Sequence, residues 1–468
     1  MKSGIAPSSP RCRALTAMTQ ILTAETLDAY VLRATLAAEA IDVHTHILPP
    51  THGALMLYGI DELLTYHYLV AELFMVLPLD AADGDADSVR LPGAPPGTEE
   101  FFAWPKERQA ELIFEELFVK RTPLSEACCG VVSVLQELGL GAMLREAAGA
   151  GATPGARLGP LRAWFAAKEP AAYVEEIFRL ARLRYAVMTN IPFAPAEAEH
   201  WPAAPGGAAP EVHARLRPAL RVDPLLVGDW AAVRSALGTA YSPTVDGCVQ
   251  WVRDWCARMQ PVYLMASTPH GFKYEPGAGG AGSGGGEPTG GALLEGVLLR
   301  VARELKLPVA LKVGAVRGAN PAVRLAGDAV EVADLSFLRA LCARHRDVKF
   351  LVTVLSRDNQ HELCVLARKF GNLHVYGCWW FCNNPSIIDA TTRMRLEMLG
   401  TAFTCQHSDA RVLEQLLYKW KHSRKAVAPA LAAQYRRLLD AGWELTEADV
   451  TRDLELLFGG AYEAFLGK

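Results

Sequence analysis

Two histidines one residue apart, in Ile41-Asp42-Val43-His44-Thr45-His46, are the first residues in the chain whose type and spacing suggest chemistry. Alternate side chains of an extended strand share a face, so His44 and His46 would project the same way, about 6–7 Å apart along the strand. Two imidazoles so placed could share one divalent metal ion. They could also be polar residues hydrogen-bonded at a strand end. Asp42 before them and Pro49-Pro50 after them fit a strand that stops at a rim. Far along the chain, Gln406-His407-Ser408-Asp409-Ala410-Arg411 ends another β-rich run. Asp409 could complete a two-histidine, one-carboxylate site with open positions for water or substrate, or act as a general base. Alternatively, Ser408 or Asp409 caps a helix that begins at Ala410.

Such groups meet only if the intervening chain brings them together. β-rich runs at 41–46, 185–190, 216–222, 262–267, 308–314, 348–355, 373–378 and 401–408 alternate with helical patterns such as 335–345, 361–370, 385–399 and 410–420. Nearly continuous apolar runs are what strands covered on both faces look like. Eight of them in βα alternation predict an α/β fold, a (β/α)8 TIM-type barrel with helices outside, with a doubly wound open sheet as the alternative. In a barrel the first and last strands are neighbours, so Asp409 would face the same mouth as His44 and His46. Residues 55–180 read as mostly helical, which is too much for one crossover. They predict a helical insertion after the first strand, beside the barrel mouth. Stretches 80–99, 195–210 and 276–291 read as loops rich in Gly, Pro, Ala or Asp. The last lacks a preceding strand and a following Lys-Ser/Thr, so it is a surface loop and not a phosphate cradle. Residues 1–25 are expected to be a flexible N-terminus and 26–468 the barrel domain. The basic bias of the first twenty residues resembles a transit peptide, but Pro7 and Pro10 spoil the amphipathic helix, and Met18 is an alternative start.

Composition sets the broad class. With 51% hydrophobic and 21% charged residues over 468 positions, wholesale disorder is excluded. Forty-seven basic against fifty-one acidic residues give a net charge of −4, with no surplus that would favour nucleic acid or an anionic membrane. The longest apolar stretch, 67–79, contains Glu72 and falls short of the roughly 20 residues a spanning helix needs. Ten irregularly spaced cysteines predict a reduced, cytoplasmic protein. Cys128-Cys129 reads as a buried thiol pair on a helix, and Cys378-x-x-x-Cys382 lacks the second pair a metal site would need.

Taken together, the His-x-His on the first strand and the Asp on the last resemble the amidohydrolase superfamily. Its usual members also place His on the fifth and sixth strands, where this chain has Lys312 and Leu355-Ser356-Arg357. One branch fits better. From about Ile41 onward the chain is similar to uronate (glucuronate) isomerases, through His44-Thr45-His46, Tyr66-His67-Tyr68, Arg221-Val222-Asp223, Gly314-Ala315-Val316-Arg317, Arg357, Gly377-Cys378-Trp379-Trp380-Phe381 and Ser408-Asp409-Ala410-Arg411. The resemblance implies a distorted (β/α)8 barrel and an aldose–ketose isomerisation of a hexuronate, of the D-glucuronate to D-fructuronate type, through an enediol. It implies one divalent metal ion, Zn²⁺ with Mn²⁺ or Fe²⁺ as alternatives, held by His44, His46 and Asp409. Asp409 is also the candidate base, and His67 and Tyr68 contact substrate, Tyr68 as a proton donor. Arg221, Arg357, Arg411 and Trp380 are implied to bind the small acidic sugar, since a guanidinium matches a carboxylate bidentately.

Each of these has a structural counterpart: Tyr68 as a core aromatic, Arg221 paired with Asp223, Arg411 as an exposed first-turn residue, Trp379 and Trp380 as packing, His407 as a neighbour of the site. Three departures from the isomerase pattern lie close to the mouth. Thr189-Asn190 stands where the family shows paired Asp, Lys312 stands for His, and Lys419–Arg424 replaces an Arg-His-Glu-aromatic stretch. The competing readings are a mononuclear metal-dependent hydrolase acting on an acidic sugar derivative or lactone, in which Asp409 takes a proton from metal-bound water, and a non-catalytic binding protein. The sequence leaves oligomeric state open, a homo-oligomer included.

Overall fold

The computed structural model describes residues 20–77, 96–149, 154–202, 213–274 and 287–467. Its strands are β1 (Ala40–Thr45), β2 (Leu183–Asn190), β3 (Leu216–Arg221), β4 (Leu264–Pro269), β5 (Val309–Val316), β6 (Ala329–Val330), β7 (Phe350–Val354) and β8 (Leu373–Val375). They form one curled sheet in the order β1-β2-β3-β4-β5-β7-β8, all neighbours parallel, with β6 attached antiparallel to β5. Ile41, Val43, Tyr185, Val187, Tyr263, Met265 and Tyr376 fill the interior, together with Tyr462 and Phe465 of the last helix (Ala461–Gly467).

The run at 401–408, expected as the eighth barrel strand, is not a strand. It is an extended connection that closes the barrel by backbone hydrogen bonds on both sides. Thr404 N–H donates to Val375 O (3.0 Å) and Gly377 N–H to Thr404 O (2.9 Å); Asp409 N–H donates to His44 O (3.2 Å) and His46 N–H to Ala410 O (2.7 Å). Two local facts interrupt a regular ladder. Cys405 N–H is drawn to Leu457 O (2.9 Å), and Asp409 has φ +54°, a left-handed conformation that cannot continue a strand. The result is a distorted, closed α/β barrel and not an open doubly wound sheet.

Asp42 locks this closure from behind. Its carboxylate accepts Ser408 N–H (3.0 Å), His44 N–H (3.4 Å) and Trp420 Nε1–H (2.8 Å), and it is fully buried. Burial pushes its carboxyl up to about 6 against these three donors. Trp420 belongs to the helix Gln415–Asp440, so Asp42 faces outward from the barrel. Strict alternation would then turn His44 and His46 outward too. A bulge prevents it: Asp42 pairs with Ala186 but Thr45 with Met188, so β1 carries one extra residue over that interval. Bulges of this kind re-aim side chains beside active sites.

The last barrel helix begins at Gln415 and not at Ala410, so neither Ser408 nor Asp409 caps it. Gln415 Oε1 accepts Arg411 N–H (2.9 Å) and Val412 N–H (3.1 Å), which holds residues 410–414 in a turn ahead of the helix. Between β1 and β2 the chain is mostly helical, from Ile60–Leu64 to Pro170–Ala181. Within it, helix Glu126–Glu137 is capped by Ser125, whose hydroxyl accepts Cys128 N–H (3.1 Å). That helix lies so close to Gln415–Asp440 that a Cβ on Gly130 would overlap the Tyr418 ring. Cys128 is buried on it but Cys129 is exposed, so the two are not a buried pair.

Several loop expectations are shortened. Pro195–Ala198 and Gly290–Leu293 are helical turns, and helix Thr98–Ala103 begins inside the expected 80–99 loop. The remainders at 80–95, 203–210 and 276–286 lie outside the described residues, as do residues 1–19 of the expected flexible N-terminus. Leu22, in that same stretch, is buried and donates to Leu445 O (2.8 Å). Among the described residues no helix is long and apolar enough to cross a membrane.

Gly377, in the turn after β8, has φ +63°, and a Cβ there would overlap His407 Nδ1. Gly377→Ala should lower stability by about 3 kcal/mol, from left-handed strain plus overpacking. A urea melt reads this directly; an unchanged midpoint would mean that His407 moves aside freely.

Candidate functional site

The C-terminal ends of the strands converge on the mouth, as barrel geometry requires. His44 Nε2 lies 3.0 Å and His46 Nε2 3.4 Å from Asp409 Oδ1, and ligand atoms of all three lie within 4.8 Å of one another. Thr189, on β2, orients His46. Its hydroxyl donates to Thr45 O (3.0 Å), so its oxygen accepts His46 Nδ1–H (2.9 Å) and leaves Nε2 with a free lone pair. Lys312, on β5, contacts both His44 Nε2 and Asp409 Oδ1 at 2.6 Å. An ammonium only donates, so His44 Nε2 is an acceptor as well.

The charges follow from this packing. Burial, aided by the Lys312 charge, drives His44 well below the ordinary imidazole value, and burial with Arg411 does the same to His46. Both are neutral, so their contacts with Asp409 are not ion pairs. Burial pushes the Asp409 carboxyl up, but the Lys312 ammonium beside it, the foremost lowering influence, holds the group well below the usual carboxylate range. The ion pair of the site is therefore Lys312–Asp409. Burial lowers Lys312 to about 8 despite that partner.

Around this centre lies a small inner cavity of about 20 Å³, lined by His46, His67, Arg221, Ser267, Lys312, Arg317, Leu325, Trp379, Trp380, Asp409 and Arg411. Five of these residues also line an outer cavity of about 900 Å³. Arg221 is paired with Asp223 (2.9 and 2.5 Å), whose other oxygen accepts Ser267 N–H (2.8 Å). Arg317 is paired with Asp328 and stacks 5.7 Å over Trp380. Arg411 has no ion-pair or side-chain hydrogen-bond partner among the described residues.

The expected residues are not all brought together. His67 lines the inner cavity and a flanking one, and burial lowers its imidazole to about 3. Tyr68 lines only the flanking cavity, beside Trp380 and Phe381; burial raises its hydroxyl well above its ordinary value, so it stays protonated. Trp380 reaches the inner cavity in a left-handed conformation, φ +44°. Arg357 departs from expectation: it is exposed, one turn beyond β7, and lines neither cavity, because the chain turns into helix Asn359–Ala367 before its side chain can point inward.

Residues that sequence reasoning left without a role stand in its place. Arg317 follows the end of β5 and is visible in the sequence only as the last residue of a matching motif. Lys312 stands out in the sequence only as a departure from the family pattern. Glu197, on the turn after β2, lines the outer cavity and accepts Ile191 N–H (2.8 Å); burial raises its carboxyl. It sits beside fully buried Asn190, and nothing in a Pro-Ala-rich stretch singled it out. In the Lys419–Arg424 stretch, Lys419 pairs with Glu126 (3.0 Å) and Arg424 donates to Ala181 O and Ala38 O (both 3.0 Å), so these two are structural.

The donor set fits a divalent cation: two neutral imidazole nitrogens and one ionised carboxylate, at ligand-to-ligand separations consistent with bonds of about 2.1 Å. The Lys312 ammonium beside two of the three ligand atoms is the feature that opposes one.

No protein-family model and no curated protein sequence matches the chain. Among solved structures, a uronate isomerase from Bacillus halodurans C-125 is 40% identical, with a TM-score of 0.82, over 96% of this chain and 98% of that one. A uronate isomerase from Thermotoga maritima (13% identity, TM-score 0.68, 94% and 97% covered) shares the fold. So does a glucuronate isomerase from Caulobacter crescentus (14%, 0.66, 94% of each chain).

Proposed function

The chain belongs to the uronate isomerase family, and on that premise we propose that it interconverts a hexuronate aldose and its ketose, in the manner of D-glucuronate and D-fructuronate, through an enediol. The observation that carries this reading is an ionised carboxylate, Asp409, set at the inner cavity among Arg221, Arg317 and Arg411. An acidic sugar held by arginines presents its carbon chain to that carboxylate.

In this reading Asp409 takes the C2 proton of the open-chain aldose and, once the enediol has formed, delivers a proton to C1, which yields the ketose and restores the carboxylate. The charge that develops on the carbonyl oxygen meets hydrogen-bond donors and cations that are already in place. His67, neutral, offers its ring N–H, and Tyr68 contributes from the flanking cavity as the candidate proton donor. Arg411 takes the substrate carboxylate, and Trp380 walls the sugar. A divalent ion held by His44, His46 and Asp409 would supply Lewis-acid polarisation of the carbonyl. Two imidazoles and one carboxylate suit Zn²⁺ and also accept Mn²⁺ or Fe²⁺.

NMR in D₂O, with glucuronate and galacturonate offered separately, tests the proposal. Solvent deuterium should enter the sugar as a ketose appears. Turnover of a sugar lactone or ester with neither signal would sink the isomerase reading in favour of a hydrolase.

A further inference from the structure

Three acceptors converge on one point in this site. Asp409 Oδ1 accepts, and the Nε2 atoms of His44 and His46 both present lone pairs to it, at 3.0 and 3.4 Å. Such a cluster is repulsive unless a positive group sits within it. Lys312 supplies that group from the chain itself. Its ammonium lies 2.6 Å from His44 Nε2 and 2.6 Å from Asp409 Oδ1, with its side chain 2% exposed, and its remaining face lies over Trp379, 4.6 Å from the ring centre. Two acceptors and a π-face thus surround this nitrogen, which suits a resident cation.

We infer that the Lys312 ammonium is the built-in cation of the His44–His46–Asp409 group, and that it competes directly with any divalent metal for those ligands. An ion bonded to His44 Nε2 at about 2.1 Å would lie within about 4.7 Å of Nζ, inside a buried pocket where like charges are weakly screened. Metal entry therefore requires Lys312 to withdraw or to lose its proton, and both contacts at 2.6 Å resist withdrawal. Methionine in its place follows the aliphatic stem of the lysine, ends one atom short of the ammonium, carries no charge and leaves the three ligand atoms facing one another without a cation.

The inference concerns ion binding and does not depend on which sugar is turned over, so its test needs no substrate. Zn²⁺ is titrated, in competition with a chromophoric chelator at fixed pH, into the wild-type protein and into Lys312→Met and Lys312→Gln. Each variant is first checked for native circular dichroism and a cooperative thermal melt. Zn²⁺ affinity should rise by about 100-fold on removing the ammonium, the upper end of what a group next to the ligands does to a metal site. Adding His46→Ala to Lys312→Met should abolish the gain, which ties it to these ligands. Affinities of the wild type and of either folded variant within threefold of one another would overturn the proposal. So would a wild-type protein that retains one equivalent of Zn²⁺ through gel filtration against chelator. Should Lys312→Met fail to melt cooperatively, Lys312→Gln, which keeps a hydrogen-bond donor for Asp409, decides the matter alone.

Discussion

Asp409→Asn is expected to lower kcat by roughly 10³-fold or more, the scale lost when a positioned general base is removed. An amide keeps the shape of the carboxylate and an oxygen for the Lys312 hydrogen bond (2.6 Å), but it cannot accept the substrate proton. The cost in stability is limited by the same neighbour. Burial already depresses Lys312 to about 8, so once its counter-charge is gone it can shed its proton instead of standing as an unpaired buried ammonium. Solvent deuterium incorporation into the sugar and ketose formation should therefore fall together while the thermal melt remains cooperative. Deuterium exchange that survives without net ketose formation would move the base elsewhere and leave Asp409 to the second proton transfer. Full activity in the folded variant would remove it from the chemistry.

Arg411→Met should lower kcat/KM by about 10²- to 10³-fold, mostly through KM, because a lost partner for a desolvated carboxylate costs about 2–5 kcal/mol. Three arginines line the inner cavity, but two are already neutralised: Arg221 by Asp223 and Arg317 by Asp328. Only Arg411 brings a charge that no described carboxylate balances. Arg357→Met is the matched control. Its guanidinium lies off both cavities, so its steady-state constants should stay within about twofold of wild type. Comparable losses in both variants would mean that the long-range field, and not contact with Arg411, holds the acid group.

The two predictions rest on features that differ in how far they could be read from residue order. Arg411 and Asp409 stood in a recognisable Ser-Asp-x-Arg motif. Which arginine is free, and which is paired, depends on Asp223 and Asp328. Asp223 is two residues from Arg221 and invited the pairing, whereas Asp328 reaches Arg317 from eleven residues away, across the turn that ends at β6. Arg357 lies off both cavities for a related reason. It follows an apolar run that is indeed a strand, but the chain leaves that strand at Val354. Periodicity does not fix an element boundary to within the one or two residues that decide where a side chain points.

What residue order determined was the alternation of apolar runs and helical patterns, and hence a parallel α/β sheet, with a barrel favoured over an open doubly wound sheet. It also determined the inventory of the site: two histidines one apart, an aspartate near the far end, and aromatic and arginine residues after the strands. These are local properties, set by the period of a strand and by side-chain chemistry. Tertiary structure alone decided how they meet. Alternation along β1 would have turned His44 and His46 outward with Asp42; one extra residue paired against β2 turns them in. The eighth strand, plausible by composition, is an extended strap because Cys405 and Asp409 answer to Leu457 and His44 instead of a regular neighbour. Lys312, a departure from pattern on paper, becomes the charge at the centre of the site. It lies 268 residues from His44 and 97 from Asp409, and only barrel closure brings the three within hydrogen-bond distance.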